Sequence, residues 1–102
     1  MKITGFDWDA GNWPKCGKHG VSRVEMEQVM LGAPACQPDP YPGEPRQRAI
    51  GRTWAGRYVF LVFMLRVVGG RLKIRPISAR YMHAKEVAYY EHQTQTDTRP
   101  AQ

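Results

Sequence analysis

Lys18 and His19 stand just ahead of a helix-start signal. Arg48 and Arg52 fall on one expected strand, Arg75 on another with Arg80 just past its end, and Tyr81, His83 and Glu86 open the last expected helix. These are the side-chain types that metal-free cleavage of RNA requires. In that reaction the substrate's own 2′-hydroxyl is the nucleophile. The protein supplies a proton acceptor, a proton donor and cations for the charge that grows on a phosphorane-like transition state. No cofactor is needed. The candidates for catalysis are Arg80, Arg52, Lys18, His19 and Glu86; those for holding RNA are Arg48, Arg57, Arg75, Tyr81 and His83. Arg80 sits where a strand yields to a helix, whose N-terminal end favours anions. Taken singly, each arginine reads as a surface charge, and Glu86 with Tyr90 reads as a structural pair one helical turn apart. Their concentration at strand ends favours the functional reading.

Other chemistries find less support. No glycine-rich phosphate loop is present. Asp7 and Asp9 would share one face of a strand, but no third carboxylate joins them, so they read as capping or solubilising acids. Cys16 and His19 do not make a three-ligand site, and no metal is expected. Two cysteines are too few for a disulfide framework.

The charge distribution points to a polyanion. The formal net charge is +6, and residues 46–102 hold eleven basic and three acidic side chains. Arg46 through Arg80 contain nine Lys or Arg, eight of them Arg, and no Asp or Glu. Arginine grips phosphate with two parallel donors, so the block reads as a surface for RNA. The alternatives are a solvated basic face or a dock for an acidic protein.

These residues need a scaffold, and 102 residues make one domain. The longest apolar run, Tyr58 to Leu65, is too short to span a membrane. No apolar signal core opens the chain, so a cytoplasmic protein is expected. Residues 3–8 alternate weakly and predict a short strand. Pro14 and Gly17 limit any helix over 10–18 to two turns. Ser22-Arg-Val-Glu25 is a capping box with Val21 and Met26 as its hydrophobic staple, predicting a helix over about 23–31. Residues 33–45 carry five prolines and read as an irregular loop with a short extended piece at its start. Strands are expected over 46–54, 57–67 and 71–78, with reversals at Ala55-Gly56 and Val68-Gly-Gly70. The middle one is apolar on both faces and should be central. Pro76 marks an edge or a bulge in the third. Residues 81–92 predict a helix, and the polar residues 93–102 a disordered tail beyond a single domain over 1–92. The sum is an α+β domain. A curved antiparallel sheet, made of a short N-terminal strand and a three-strand meander, is packed by N-terminal helices and a C-terminal helix.

Several stretches resemble one family. FDWD at 6–9, GN at 11–12 and KHGVS at 18–22 are similar to the opening of BrnT toxins. AIGRT at 49–53 with Gly56-Arg57 is similar to their middle, and IRPISARYMHAKEVAYYE at 74–91 to their closing strand and helix. The resemblance implies a compact RelE-like fold and a ribonuclease that arrests translation. It also implies a type II partnership with an antitoxin of BrnA type, whose DNA-binding part is a ribbon-helix-helix, in a toxin–antitoxin hetero-oligomer. By position, Lys18 and His19, Arg52 and Arg80 match the characteristic polar groups of those motifs, and Glu86 with Tyr90 matches the closing helix. The competing reading is a non-catalytic module that binds an antitoxin or nucleic acid without cutting it. Convergence of Lys18, His19, Arg52 and Arg80 on one concave site would favour cleavage, and their separation by more than a nucleotide would favour binding.

Overall fold

The structure is a computed structural model and describes residues 2–97. Five strands form one sheet: β1 (Ile3–Phe6), β2 (Ala35–Pro38), β3 (Gln47–Arg52), β4 (Tyr58–Val68) and β5 (Arg71–Tyr81), in the spatial order β1-β5-β4-β3-β2. Two α-helices, α1 (Arg23–Leu31) and α2 (Ala84–Asp97), accompany it, with a 3₁₀ turn at Lys15–Gly17. No helix among the described residues is long and apolar enough to cross a membrane.

The α+β reading holds, and so does the meander β3-β4-β5 with the apolar β4 at its centre. Two expectations need correction. The sheet is mixed, because β1 pairs parallel with β5. After β1 the chain crosses one face of the sheet through α1 and enters at the opposite edge. The last strand of the meander then runs in the direction of β1. The extended piece in the proline-rich segment is also a full strand, β2, paired antiparallel with β3 from Ala35↔Ile50 to Pro38↔Gln47.

Local chemistry explains the rest. Gly69 and Gly70, both at positive φ (58° and 77°), close the β4–β5 hairpin, where a two-residue turn of this hand requires such angles. Pro76 lies inside the sheet, not at its edge. Phe63 faces Pro76 while Val62 faces Ser78, so Ile77 is the extra residue of a bulge. The strand then continues three residues past its expected end, because Arg80 and Tyr81 still pair with Phe60 and Val59. The last helix therefore starts later. It also runs on through Asp97, so 93–97 are helical where a disordered tail was expected; residues 98–102 lie outside the described residues.

The core lies between α1 and one face of the sheet. Met26 and Val29 of α1 are buried against Ala49, Val59, Leu61 and Ala79. The capping box starts α1 as its residues predict: Ser22 Oγ accepts from the Glu25 backbone N–H at 3.1 Å, and Glu25 Oε1 accepts from the Ser22 N–H at 3.0 Å. Buried Asn12 ties the N-terminal turn to β5, donating to the carbonyls of Asp7 and Pro76.

Candidate active site

Successive side chains of a strand point to opposite faces, and this divides the candidate residues. Arg80 and Tyr81 are neighbours on β5, so they serve different sides. Tyr81 joins the α1 side, packed against the core. Arg80 joins the other side, where α2 lies and where Arg52 meets Glu91, so these two arginines do not converge with Lys18 and His19.

On the α1 side, Arg57 stacks over the Tyr81 ring with its guanidinium carbon 3.4 Å from the centroid. The Tyr81 hydroxyl lies 2.8 and 3.0 Å from the two carboxylate oxygens of Glu25, and 3.3 Å from the Gly20 carbonyl. That carbonyl belongs to the residue directly after Lys18 and His19, both exposed. The segment that carries Lys18 and His19 thus passes beside the Arg57–Tyr81 stack, between the start of α1 and the shared end of β4 and β5. Burial pushes the Glu25 carboxyl up. Hydrogen bonds from the Ser22 backbone, Tyr81 and the Ser22 hydroxyl, with the Arg57 charge nearby, outweigh it and hold Glu25 below the usual carboxylate range. The Tyr81 phenol is pushed up by burial and by its bond to Glu25. Glu25 is therefore ionised and Tyr81 protonated at neutral pH.

On the α2 side, Arg48, Phe60 and Glu86 line a cleft of about 640 Å³, and the Arg80 guanidinium lies 5.0 Å from the centroid of the Phe60 ring. Here the arginines are matched. Arg80 and Glu86 form a two-point pair at 2.7 and 2.8 Å. Glu86 also accepts from the backbone N–H of His83, the residue preceding α2. The Arg80 hydrogen bonds first, and that His83 bond second, lower the Glu86 carboxyl to about 2. Arg48 pairs with Asp39 at 2.9 Å, and Arg52 holds the Tyr58 hydroxyl at 2.8 Å with Glu91 at 3.5 Å. Arg75 belongs to neither group. It binds Asp7 and Asp9, each at 2.9 Å, and fixes the chain after β1. His83 is exposed at the start of α2.

The acid-free block is therefore not acid-free in space. Arg46, Arg48, Arg52, Arg66, Arg75 and Arg80, six of its nine cations, pair with carboxylates from outside it. Among the described residues, Lys2, Lys15, Lys18, Arg23, Arg57, Arg71, Lys73 and Lys85 have no carboxylate within ion-pair distance. Of these, Arg57 lies on the Tyr81 ring, and Lys15, Lys18 and Arg23 lie in the segment leading into α1. No group of three His, Cys, Asp or Glu that could hold a metal is found among the described residues.

Residues 8–86 match the family described as ribonuclease toxin, BrnT, of type II toxin-antitoxin system. The chain belongs to the BrnT family. No curated protein matches it. As a BrnT-family chain it is a ribonuclease toxin with an antitoxin partner, and the matched span covers both Lys18-His19 and the Arg57–Tyr81 stack. Glu25 is the residue that sequence reasoning left out of the site. The capping box accounts for its presence, and nothing in the sequence links it to a tyrosine 56 positions away.

Proposed function

We propose that the chain is a RelE-like endoribonuclease that cuts RNA without a metal on the α1 side of the sheet, arrests translation in the cytoplasm, and is neutralised by a BrnA-type antitoxin. The observation that supports this reading is Arg57, without a carboxylate at ion-pair distance, stacked on Tyr81 whose hydroxyl meets Glu25, beside the exposed Lys18-His19 segment.

A phosphodiester docked there meets donors from Arg57 and Lys18. Glu25, ionised, accepts the proton of the 2′-hydroxyl as its oxygen bonds to phosphorus. The bond to the 5′-oxygen breaks, and that oxygen takes a proton from His19 or Tyr81. Arg57 and Lys18 stabilise the added charge of the phosphorane. Arg80 and Glu86 act differently in this reading. They fasten the start of α2 to the sheet, as Arg75 fastens the chain after β1, while Arg48 and Arg52 steady the β2–β3 edge and the α2 side. The products would carry 2′,3′-cyclic phosphate and 5′-hydroxyl ends. The test is the end chemistry of a single-stranded RNA oligomer cut by the purified chain, beside growth arrest on induction. Products with 3′-hydroxyl and 5′-phosphate ends would overturn the 2′-hydroxyl mechanism. A folded chain that neither cuts RNA nor arrests growth would favour the binding-module reading.

A further inference from the structure

The cleft between α2 and the sheet is a second functional surface, and its chemistry differs from that of the α1 side. Its lining is largely apolar, from Ala35, Ile50, Phe60, Met82, Tyr89 and Tyr90. Tyr89 is 69% exposed although it sits on the cleft wall. Tyr58 anchors the far part of α2, with its ring edge-on to Tyr90 and its hydroxyl on Glu91 at 3.2 Å.

The charges argue against RNA in this cleft. Asp39, Glu86 and Glu91 already occupy Arg48, Arg80 and Arg52. A phosphate backbone would meet Glu86 in the lining and would have to break an ion pair to gain an arginine. Neutral apolar surface with polar groups at its margin suits a protein partner.

One charge is left over. Among the described residues Lys85 has no carboxylate partner. It is the second residue of α2, where the partial positive charge of the helix end disfavours a cation. A stabilising design would put an acid there, so the position is locally unfavourable. A carboxylate from a partner would relieve it.

We infer that this cleft is where the antitoxin docks, taking an amphipathic segment that seats aromatic or aliphatic side chains against Phe60 and Tyr89 and sets a carboxylate on Lys85. The inference rests on the toxin–antitoxin reading. It places antitoxin and RNA on opposite faces of one sheet, so the antitoxin acts without filling the RNA site.

The test uses the polypeptide encoded beside this chain that neutralises it on co-expression, purified and titrated into the full chain. Tyr89→Ala and Lys85→Glu are both at exposed positions. Each is expected to weaken binding of that polypeptide about tenfold or more, as for a buried anchor or a close charge pair at an interface. Cleavage of an RNA oligomer should stay unchanged in both. A carboxylate-to-lysine change in the polypeptide should restore binding to Lys85→Glu. Arg57→Ala should do the reverse, losing cleavage and keeping the complex. Wild-type affinity in both cleft variants would overturn the assignment. So would loss of RNA binding in them, which would give the cleft to RNA, or loss of a chain homodimer, which would give it to a second copy. If no polypeptide binds the wild-type chain, the toxin–antitoxin reading falls first, and the cleft assignment with it.

Discussion

Replacing Arg57 by alanine should separate catalysis from stability. Arg57 is exposed and has no carboxylate within ion-pair distance among the described residues; its guanidinium stacks on the Tyr81 ring at 3.4 Å. Removing an exposed cation–π contact costs about 0.5–1 kcal/mol. At roughly 4–8 °C per kcal/mol for a domain of this size, melting should fall by only a few degrees. Loss of a contact made to transition-state charge costs about 2.7–4 kcal/mol, or a hundred- to thousandfold in kcat. Arg57→Lys keeps the charge and loses the planar fork, so it should fall between. Arg57 also helps hold Glu25 down, so the acid limb of the pH–rate profile should move to higher pH in Arg57→Ala. The comparison is Arg80→Ala. Its two-point pair with Glu86 is strong in geometry, but the Arg80 side chain is 40% exposed, so screening limits its worth to about 0–1 kcal/mol. Single-turnover cleavage of one RNA oligomer by both variants, with folding checked by melting, decides the matter. A larger rate loss in Arg80→Ala than in Arg57→Ala would refute the placement of the chemistry on the α1 side.

Other consequences are open to direct measurement. Ser22→Ala removes the acceptor at the start of α1 and should lower stability by about 1 kcal/mol; unchanged melting would mean that the cap contributes nothing. Glu86 has a folded value of about 2 against an ordinary 4.5, so its contribution is present above pH 4.5 and is lost as pH falls toward 2. Melting should drop across that window, and less so in Glu86→Gln. EDTA should leave cleavage intact, because Asp7 and Asp9 are both committed to Arg75; activity that vanishes with chelator and returns with Mg²⁺ would contradict this. RNA binding through three phosphate contacts should give a log–log salt slope of roughly −2, and a slope near zero would count against the cations around Tyr81.

Much of the fold was legible because it rests on local chemistry. The capping box needs four consecutive residues, the β4–β5 reversal needs two glycines, and the both-faces apolarity of β4 is visible in its own eleven residues. What could not be read involves distant partners. The parallel pairing of β1 depends on where the chain lands after α1. Strand β2 forms in a segment with Pro34 and Pro38 because β3 offers it a free edge, not because its own residues favour extension. Helix α2 begins late because Phe60 and Val59 hold Arg80 and Tyr81 in the strand.

The site shows the same division more sharply. A run of 35 residues without an acid looks like a surface for phosphate, and the inference from composition is sound as far as composition goes. Charge acts through space, however. Folding brings Asp7, Asp9, Asp39, Glu44, Glu86 and Glu91 onto the arginines of that run. A paired arginine offers a phosphate less than an unpaired one, because the existing carboxylate must first be displaced or its field overcome. The arginine best placed in sequence, Arg80, is one of those paired. Arg57 is not, and its partner Tyr81 was visible as a neighbour of Arg80 on the wrong face. The alternation of a strand could have separated Arg80 from Tyr81 from the start, had the strand been known to reach that far. The position of one strand end thus decides which side chains share the α1 side of the sheet and which hold α2 to it.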